Sequence, residues 1–264
     1  MIREQFDLSG KTAIITGAGS GLGRSMALSM AAAGADIVGA ARRLEPLEES
    51  RAMVEELGQR FTVITCDAID SDAVNAMVAE AISEHGRIDI LINNAGGGAA
   101  GRGKTLPELT DEDWHLGIDT NLSSAFYCSR AIIPHYLENG GGRIINVTSG
   151  WGFRGGRGNF MYSISKGGVI QLTKALAMTY ARDNIRATCI APGAIPYQAP
   201  PEMQEQMGER QPIGRVGVAE DIGTMAVLLS SAASDYMTGE TVLVDGGAIA
   251  GGLIPAGIEP VVEG

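Results

Sequence analysis

The 264 residues are 45% hydrophobic and 19% charged, enough apolar material for a well-buried core and too much for a disordered chain. A net charge of −11 argues against a nucleic-acid partner, which calls for a basic stripe, and no apolar run approaches the roughly 18 residues of a membrane span. Cys66, Cys128 and Cys189 form no C-x-x-C pair and His85, His115 and His135 are scattered, so no metal site is expected and a cytoplasmic, reducing location is.

In chain order, "TAIIT" (12–16) is a short β-branched run followed by glycines and the small-residue helical stretch "LGRSMALSMAAAG". The alternation recurs with "DIVGAA" and "LEPLEESRAMVEELG", then "FTVITC" and "DAVNAMVAEAISEHG", then "IDILINN" and one long helical stretch over 111–138. "RIINVTS" and "YSISKGGVIQLTKALAMTYAR" follow, then "IRATCIAP", a loop, "AEDIGTMAVLLSS", and finally "TVLVDGG". Seven continuously apolar strands alternating with helices predict an α/β fold: a single doubly wound, Rossmann-type domain over 1–264, with a seven-stranded parallel sheet covered on both faces. Ligands of such sheets sit beyond the carboxyl ends of the strands, so residues 193–216, which follow a strand end, are expected to form a substrate lid.

The first turn, "TGAGSGLG" (Thr16 to Gly23), lies between a strand and a helix and does not fit G-x-G-x-x-G. Its glycines allow tight geometry and close approach, and the free amides at the helix N-terminus suit a pyrophosphate. Together with "NNAG" (Asn93 to Gly96), Asn121, Ser149 and "YSISK" (Tyr162 to Lys166), this turn resembles the short-chain dehydrogenase/reductase family over about residues 6–247. The interval from Ser149 to Tyr162 (162 − 149 = 13) is similar to the family's.

The resemblance implies an NAD(P)(H) site at Gly17, Ser20, Gly21, Leu22 and Gly23, at Asp67, Asn94, Ala95 and Gly96, and at Pro192, Gly193 and Ile195, with Tyr162 and Lys166 also against the cofactor. At the end of the second strand an acidic residue would bind the ribose of NAD and an arginine the 2′-phosphate of NADP. Ala41 stands where NAD-preferring relatives carry Asp, and Arg42 and Arg43 follow, so NADP(H) is favoured and NAD(H) stays open. Where the family pattern P-G-x-x-x-T ends in threonine, this chain has Tyr197.

Tyr162 and Lys166, at i and i+4, share a helix face. The resemblance implies that they, with Ser149 and Asn121, interconvert a ketone and a secondary alcohol: Tyr162 moves the proton, Ser149 orients the substrate oxygen, Lys166 binds the ribose, and Asn121 holds a water beside the lysine. A tyrosine pKa of about 10 must then fall by roughly three units, about 4 kcal/mol. An ammonium at roughly 5 Å supplies some 3 kcal/mol of that at an effective dielectric of about 20. Trp151 and Phe153, with Ser149 and Tyr162, are candidate substrate contacts, and Arg154 and Arg157 candidates for an acidic substrate group.

A small-molecule carbonyl or alcohol is the expected partner. The surplus of small and apolar residues in "SISKGGVIQLTKALAMTYA" and "NLSSAFYCSRAIIPHYL" predicts a second buried helix face, and the family resemblance implies a homotetramer or homodimer. The apolar tail, 246–264, is expected to dock at a subunit interface. A non-catalytic nucleotide-binding regulator on the same fold is the alternative, and retention of both Tyr162 and Lys166 weighs against it.

Overall fold

The computed structural model describes residues 2–98 and 100–251. Seven parallel strands, β1 (Thr12–Thr16), β2 (Asp36–Ala41), β3 (Phe61–Thr65), β4 (Ile90–Asn93), β5 (Gly142–Val147), β6 (Ile185–Pro192) and β7 (Thr241–Val244), form one sheet in the order β3-β2-β1-β4-β5-β6-β7. Every residue of central β1 and β4 is buried, whereas the edge strands β3 and β7 are partly open. That difference explains why the inner strands read as uninterrupted apolar runs.

Alternate strand residues feed opposite faces. Ala13, Ile15, Ile37 and Ile92 pack with Met26 and Met30 of α1 (Gly21–Ala32), Leu47 of α2 (Leu44–Glu55) and Ile222 of α8 (Ala219–Ser230). Ile14, Val38, Leu91 and Ile144 pack with Val74 and Met77 of α3 (Ser71–His85), Ile132 and Tyr136 of α5 (Ser124–Glu138) and Leu176 of α6 (Phe160–Tyr180). Asp70 starts α3 by accepting from the N–H groups of Asp72 and Ala73, as its place before the helical run predicts.

Two stretches depart from the sequence reading. The long helical run over 111–138 is divided: α4 (Asp111–Ile118) passes through a π-helical turn, Asp119–Ser123, before α5 begins. The lid region carries a short helix, α7 (Pro201–Gly208), started by a proline in the first turn where its missing N–H costs nothing. Ile213 N donates to Gly246 O at 3.2 Å, fastening this segment to the residues just after β7. Of the expected tail contact, residues 252–264 lie outside the described residues.

The strand order reverses between β1 and β4, and the sheet opens there into a crevice beyond the strands' carboxyl ends.

Candidate active site

A cleft of about 530 Å³ fills this crevice. One end is lined by Gly17, Ser20 and Leu22 of the first turn, by Arg42 and Arg43 after β2, and by Asp67 after β3. Asn94, Ala95 and Gly96 after β4, and Pro192, Gly193 and Ile195 after β6, line its middle. Ser149, Tyr162 and Lys166 close the other end.

The glycine turn is fixed by contacts that no larger residue permits. Gly17 (φ +71°) and Gly21 (φ +52°) adopt left-handed backbone, and a Cβ on buried Gly23 would lie 2.1 Å from Gly17 O. Gly21 and Gly23 themselves lie behind the lining. Ser20 caps α1 without a side-chain hydrogen bond, so the first amides of the helix remain available to a phosphate. Asn94 locks the β4 turn onto this one: its Nδ2 donates to Thr16 O at 2.9 Å and its N–H to Thr16 Oγ1 at 3.0 Å.

At the far end, Ser149 follows β5 and Tyr162 lies in the first turn of α6, with the Lys166 ammonium 5.7 Å from the Tyr162 ring centroid. The Lys166 Nζ donates to Val147 O at 2.9 Å. Its burial lowers its pKa to about 8. Burial pushes the Tyr162 phenol up from its ordinary value, and a hydrogen bond with Ser149 pulls it only partly back. The lowered tyrosine pKa expected from the lysine is therefore absent: Lys166 is turned toward a backbone carbonyl, and desolvation outweighs the rest.

Asn121 sits in the π-helical turn and does not line the cleft directly. Its side chain accepts from Gly97 N at 3.1 Å and donates to Gly97 O at 2.9 Å and Gly117 O at 3.0 Å. A Cβ on Gly96 would fall 2.8 Å from Asn121 Oδ1 and 3.2 Å from Lys166 Nζ, so the amide and the ammonium flank one glycine. The inserted turn re-aims this asparagine toward the strand-end loop, a recurrent use of π-bulges.

Trp151 and Phe153 are not brought to the cleft wall. Trp151 stacks with the Arg154 guanidinium, 4.6 Å from its ring, and presses on Gly156, while Phe153 is exposed on the loop. Short glycines let this loop fold back on itself, which the linear sequence did not reveal.

Comparison with known proteins agrees with this geometry. A family model described as Enoyl-(Acyl carrier protein) reductase matches residues 17–248. The chain is 39% identical to the 2-dehydro-3-deoxy-D-gluconate 5-dehydrogenase of Escherichia coli (strain K12), covering 95% of this chain and 100% of the other. It is 33% identical to a 3-oxoacyl-(acyl-carrier-protein) reductase of Thermotoga maritima, over 92% and 99% of the two chains. The protein belongs to the short-chain dehydrogenase/reductase family. Among solved structures, a 7α-hydroxysteroid dehydrogenase complexed with NADH and 7-oxo glycochenodeoxycholic acid has a TM-score of 0.86 at 32% identity, covering 92% of this chain and 96% of the other. A short-chain type dehydrogenase/reductase from Mycobacterium marinum has a TM-score of 0.87 at 33% identity, covering 94% and 99%. The chain is thus an oxidoreductase of a family that uses NAD(P)(H).

Seen as a short-chain dehydrogenase/reductase, the cleft fits its dinucleotide, because the cradle at Gly17 and Gly23 has no room for side chains and presents helix amides. Three contributors escaped the sequence reading. Arg24, notable there only for breaking G-x-G-x-x-G, braces the turn: its guanidinium donates to Gly19 O and Pro46 O and pairs with Glu49 at 2.6 Å. Thr16 Oγ1 receives two amides of the β4 turn, and Val147 O holds the lysine. Arginine one residue past a glycine turn is a readable signal; a carbonyl is not. Among the described residues no cluster suited to a metal ion exists, and no helix is long and apolar enough to cross a membrane.

Proposed function

We propose that this protein interconverts a ketone and a secondary alcohol, with Tyr162 as general acid/base and NADP(H) as the preferred cofactor. The observation that carries the reading is the Ser149–Tyr162–Lys166 group at the end of a cleft whose other end is a phosphate cradle. When bound, the nicotinamide supplies or accepts the hydride at the carbonyl carbon.

The chain's own residues handle the oxygen and its proton. Tyr162, kept in its phenol form by burial, is poised to donate its proton to the developing alkoxide, and Ser149, already hydrogen-bonded to that phenol, holds the same oxygen. Lys166, with a pKa near the working pH, can re-protonate the phenolate side of the site and hydrogen-bond the ribose. Asn121, tied to Gly97 on one side of Gly96, supports a water that carries the proton outward. NADP(H) preference is supported by Arg42 and Arg43, both exposed in the cleft lining, and by Ala41 before them, which carries no carboxylate for a ribose hydroxyl. The acting form is a homodimer or homotetramer, supported by Phe126 of α5 and by Ile164 and Met178 of α6, all exposed; a light-scattering mass of one chain would refute it.

Tyr162→Phe tests the chemistry. Turnover of a carbonyl panel with NADPH should fall by at least about 100-fold while cofactor affinity holds. Near-normal turnover would remove Tyr162 from the mechanism.

A further inference from the structure

Two loops leave the catalytic residues and meet at their tips. The first passes Gly98, where a Cβ would lie 3.5 Å from the Tyr162 ring, and reaches Gly101–Lys104. The second, residues 150–159, joins Ser149 to the helix bearing Tyr162. Gly103 N donates to Gly158 O at 2.7 Å, and a Cβ on Gly158 would fall 3.0 Å from Gly103 Cα. The contact is thus made by glycine backbones, with longer side chains on either side of it in sequence.

Those side chains are basic: Arg102 and Lys104 on one tip, Arg154 and Arg157 on the other. Lys104 is neutralised by Asp113 at 2.6 Å. Arg102, Arg154 and Arg157 are exposed and pair with no carboxylate among the described residues. Acidic residues outnumber basic ones 31 to 20, and Arg24, Arg51, Arg60, Arg87, Arg143 and Arg215 all find acidic partners. Arg42, Arg43, Arg130, Arg182 and Arg210 also lack a carboxylate partner among the described residues, but Arg102, Arg154 and Arg157 gather on two touching loops, one of which joins Ser149 to the helix of Tyr162. Arg154 lies over Trp151, 4.6 Å from the ring centroid, a cation–π contact that restricts the guanidinium before a ligand arrives.

We propose that Arg102, Arg154 and Arg157 form a collar that binds the anionic group, a carboxylate or a phosphate, of a small-molecule substrate whose carbonyl reaches Tyr162 and Ser149. The inference rests on the oxidoreductase reading above and adds the substrate's charge to it. Guanidinium forks suit such anions because they donate two parallel charge-assisted hydrogen bonds. The loops are open at Gly97, Gly103 and Gly155, which have nothing within 4 Å of where a Cβ would be.

Trp151 supplies a readout that needs no turnover. The chain has two tryptophans, so in a Trp114→Phe background the emission reports the ring beneath Arg154. With NADP⁺ present, gluconate, sorbitol 6-phosphate and neutral sorbitol are titrated in turn. At least one of the two anions should give a saturable change, sorbitol should give none, and the anion that responds identifies the group as carboxylate or phosphate. Adding Arg102→Ala and Arg157→Ala should raise the half-saturation by about tenfold or more, the loss of at least one charge-assisted contact. A response to sorbitol equal to the anions', no response to either anion, or a half-saturation unmoved by the double substitution would overturn the collar. Tyr162→Phe keeps the two readings apart: whichever anion responds in the parent protein should perturb Trp151 in the variant as before while turnover is lost. Failure of NADP⁺ to bind would instead strike the oxidoreductase reading, leaving the arginine dependence of the anion response to be judged on its own.

Discussion

At its phosphate end the cleft is shaped by backbone; at its substrate end it is shaped by loops. Asn94 closes on Gly17 and Gly23, whose added Cβ atoms would fall 2.8 and 2.7 Å from its Nδ2, Tyr197 closes on Gly21, and Arg24 braces the turn at Gly19 O, so a single added methyl group has nowhere to go. Gly155, in the loop between Ser149 and Tyr162, has open space around it, and beyond its local turns the loop meets the neighbouring loop through one backbone bond, Gly103 N to Gly158 O. On the proposed function, the first end serves any dinucleotide and the second is where a particular substrate is chosen. Strand-end geometry is shared because the sheet dictates it, whereas loops are free to vary.

The sharpest way to break this comparison is to add one methyl group at each end. Gly23→Ala puts a carbon 2.1 Å from Gly17 O, and the displaced turn should lose about 100-fold in NADP(H) affinity, the worth of roughly two charge-assisted hydrogen bonds. Gly155→Ala should leave calorimetric cofactor affinity and thermal midpoint as they were. Equal damage from both would show that the loop is as tightly built as the turn.

A second, somewhat smaller effect concerns charge rather than shape. Replacing Arg42 and Arg43 together by Ala should weaken NADP(H) binding by about 10- to 100-fold and leave NAD(H) binding within a factor of about two. Parallel losses for both cofactors would place the arginines' role outside the 2′-phosphate.

The smallest effect sharpens the boundary between the ends, where Lys166 sits. Its pKa is about 8 in the folded chain against an ordinary 10.5, so between those pH values the unfolded chain holds a proton that the folded one does not. Stability should therefore rise as pH climbs through that window and be level below it. Thermal midpoints taken from pH 7 to 11 should show this slope in the native protein and lose it in Lys166→Met. A slope that survives the substitution belongs to another group.

The sheet was legible because its period is regular: "TAIIT" and "ILIN" are buried throughout and read as such. The candidate cofactor residues from Gly17 to Ile195 came from the family resemblance, and all of them except Gly21 and Gly23, which shape the turn from behind, line one cleft. Trp151 and Phe153 did not follow, because a glycine-rich loop has no periodicity to say which side chains turn inward. The π-helical turn at Asn121 was hidden for another reason: one residue inserted into a helix leaves the apolar pattern nearly intact. The upward push on Tyr162 was not legible either, because it comes from burial of the phenol, which the packing around the cleft sets and the spacing of Tyr162 and Lys166 does not.

Tyr197, in place of the family's threonine, reaches back from the lid to the glycine turn. The carbon a side chain would need at Gly21 falls 2.7 Å from the end of the Tyr197 ring and 2.9 Å from its hydroxyl. Two residues 176 positions apart (197 − 21 = 176) therefore compete for one volume. In sequences descended from this one they should change as a pair: a chain that acquires bulk at position 21 must shrink position 197, and a chain that keeps the phenol must keep the glycine. Such covariation would be the historical trace of a lid that closes on the cofactor's cradle rather than on the substrate alone.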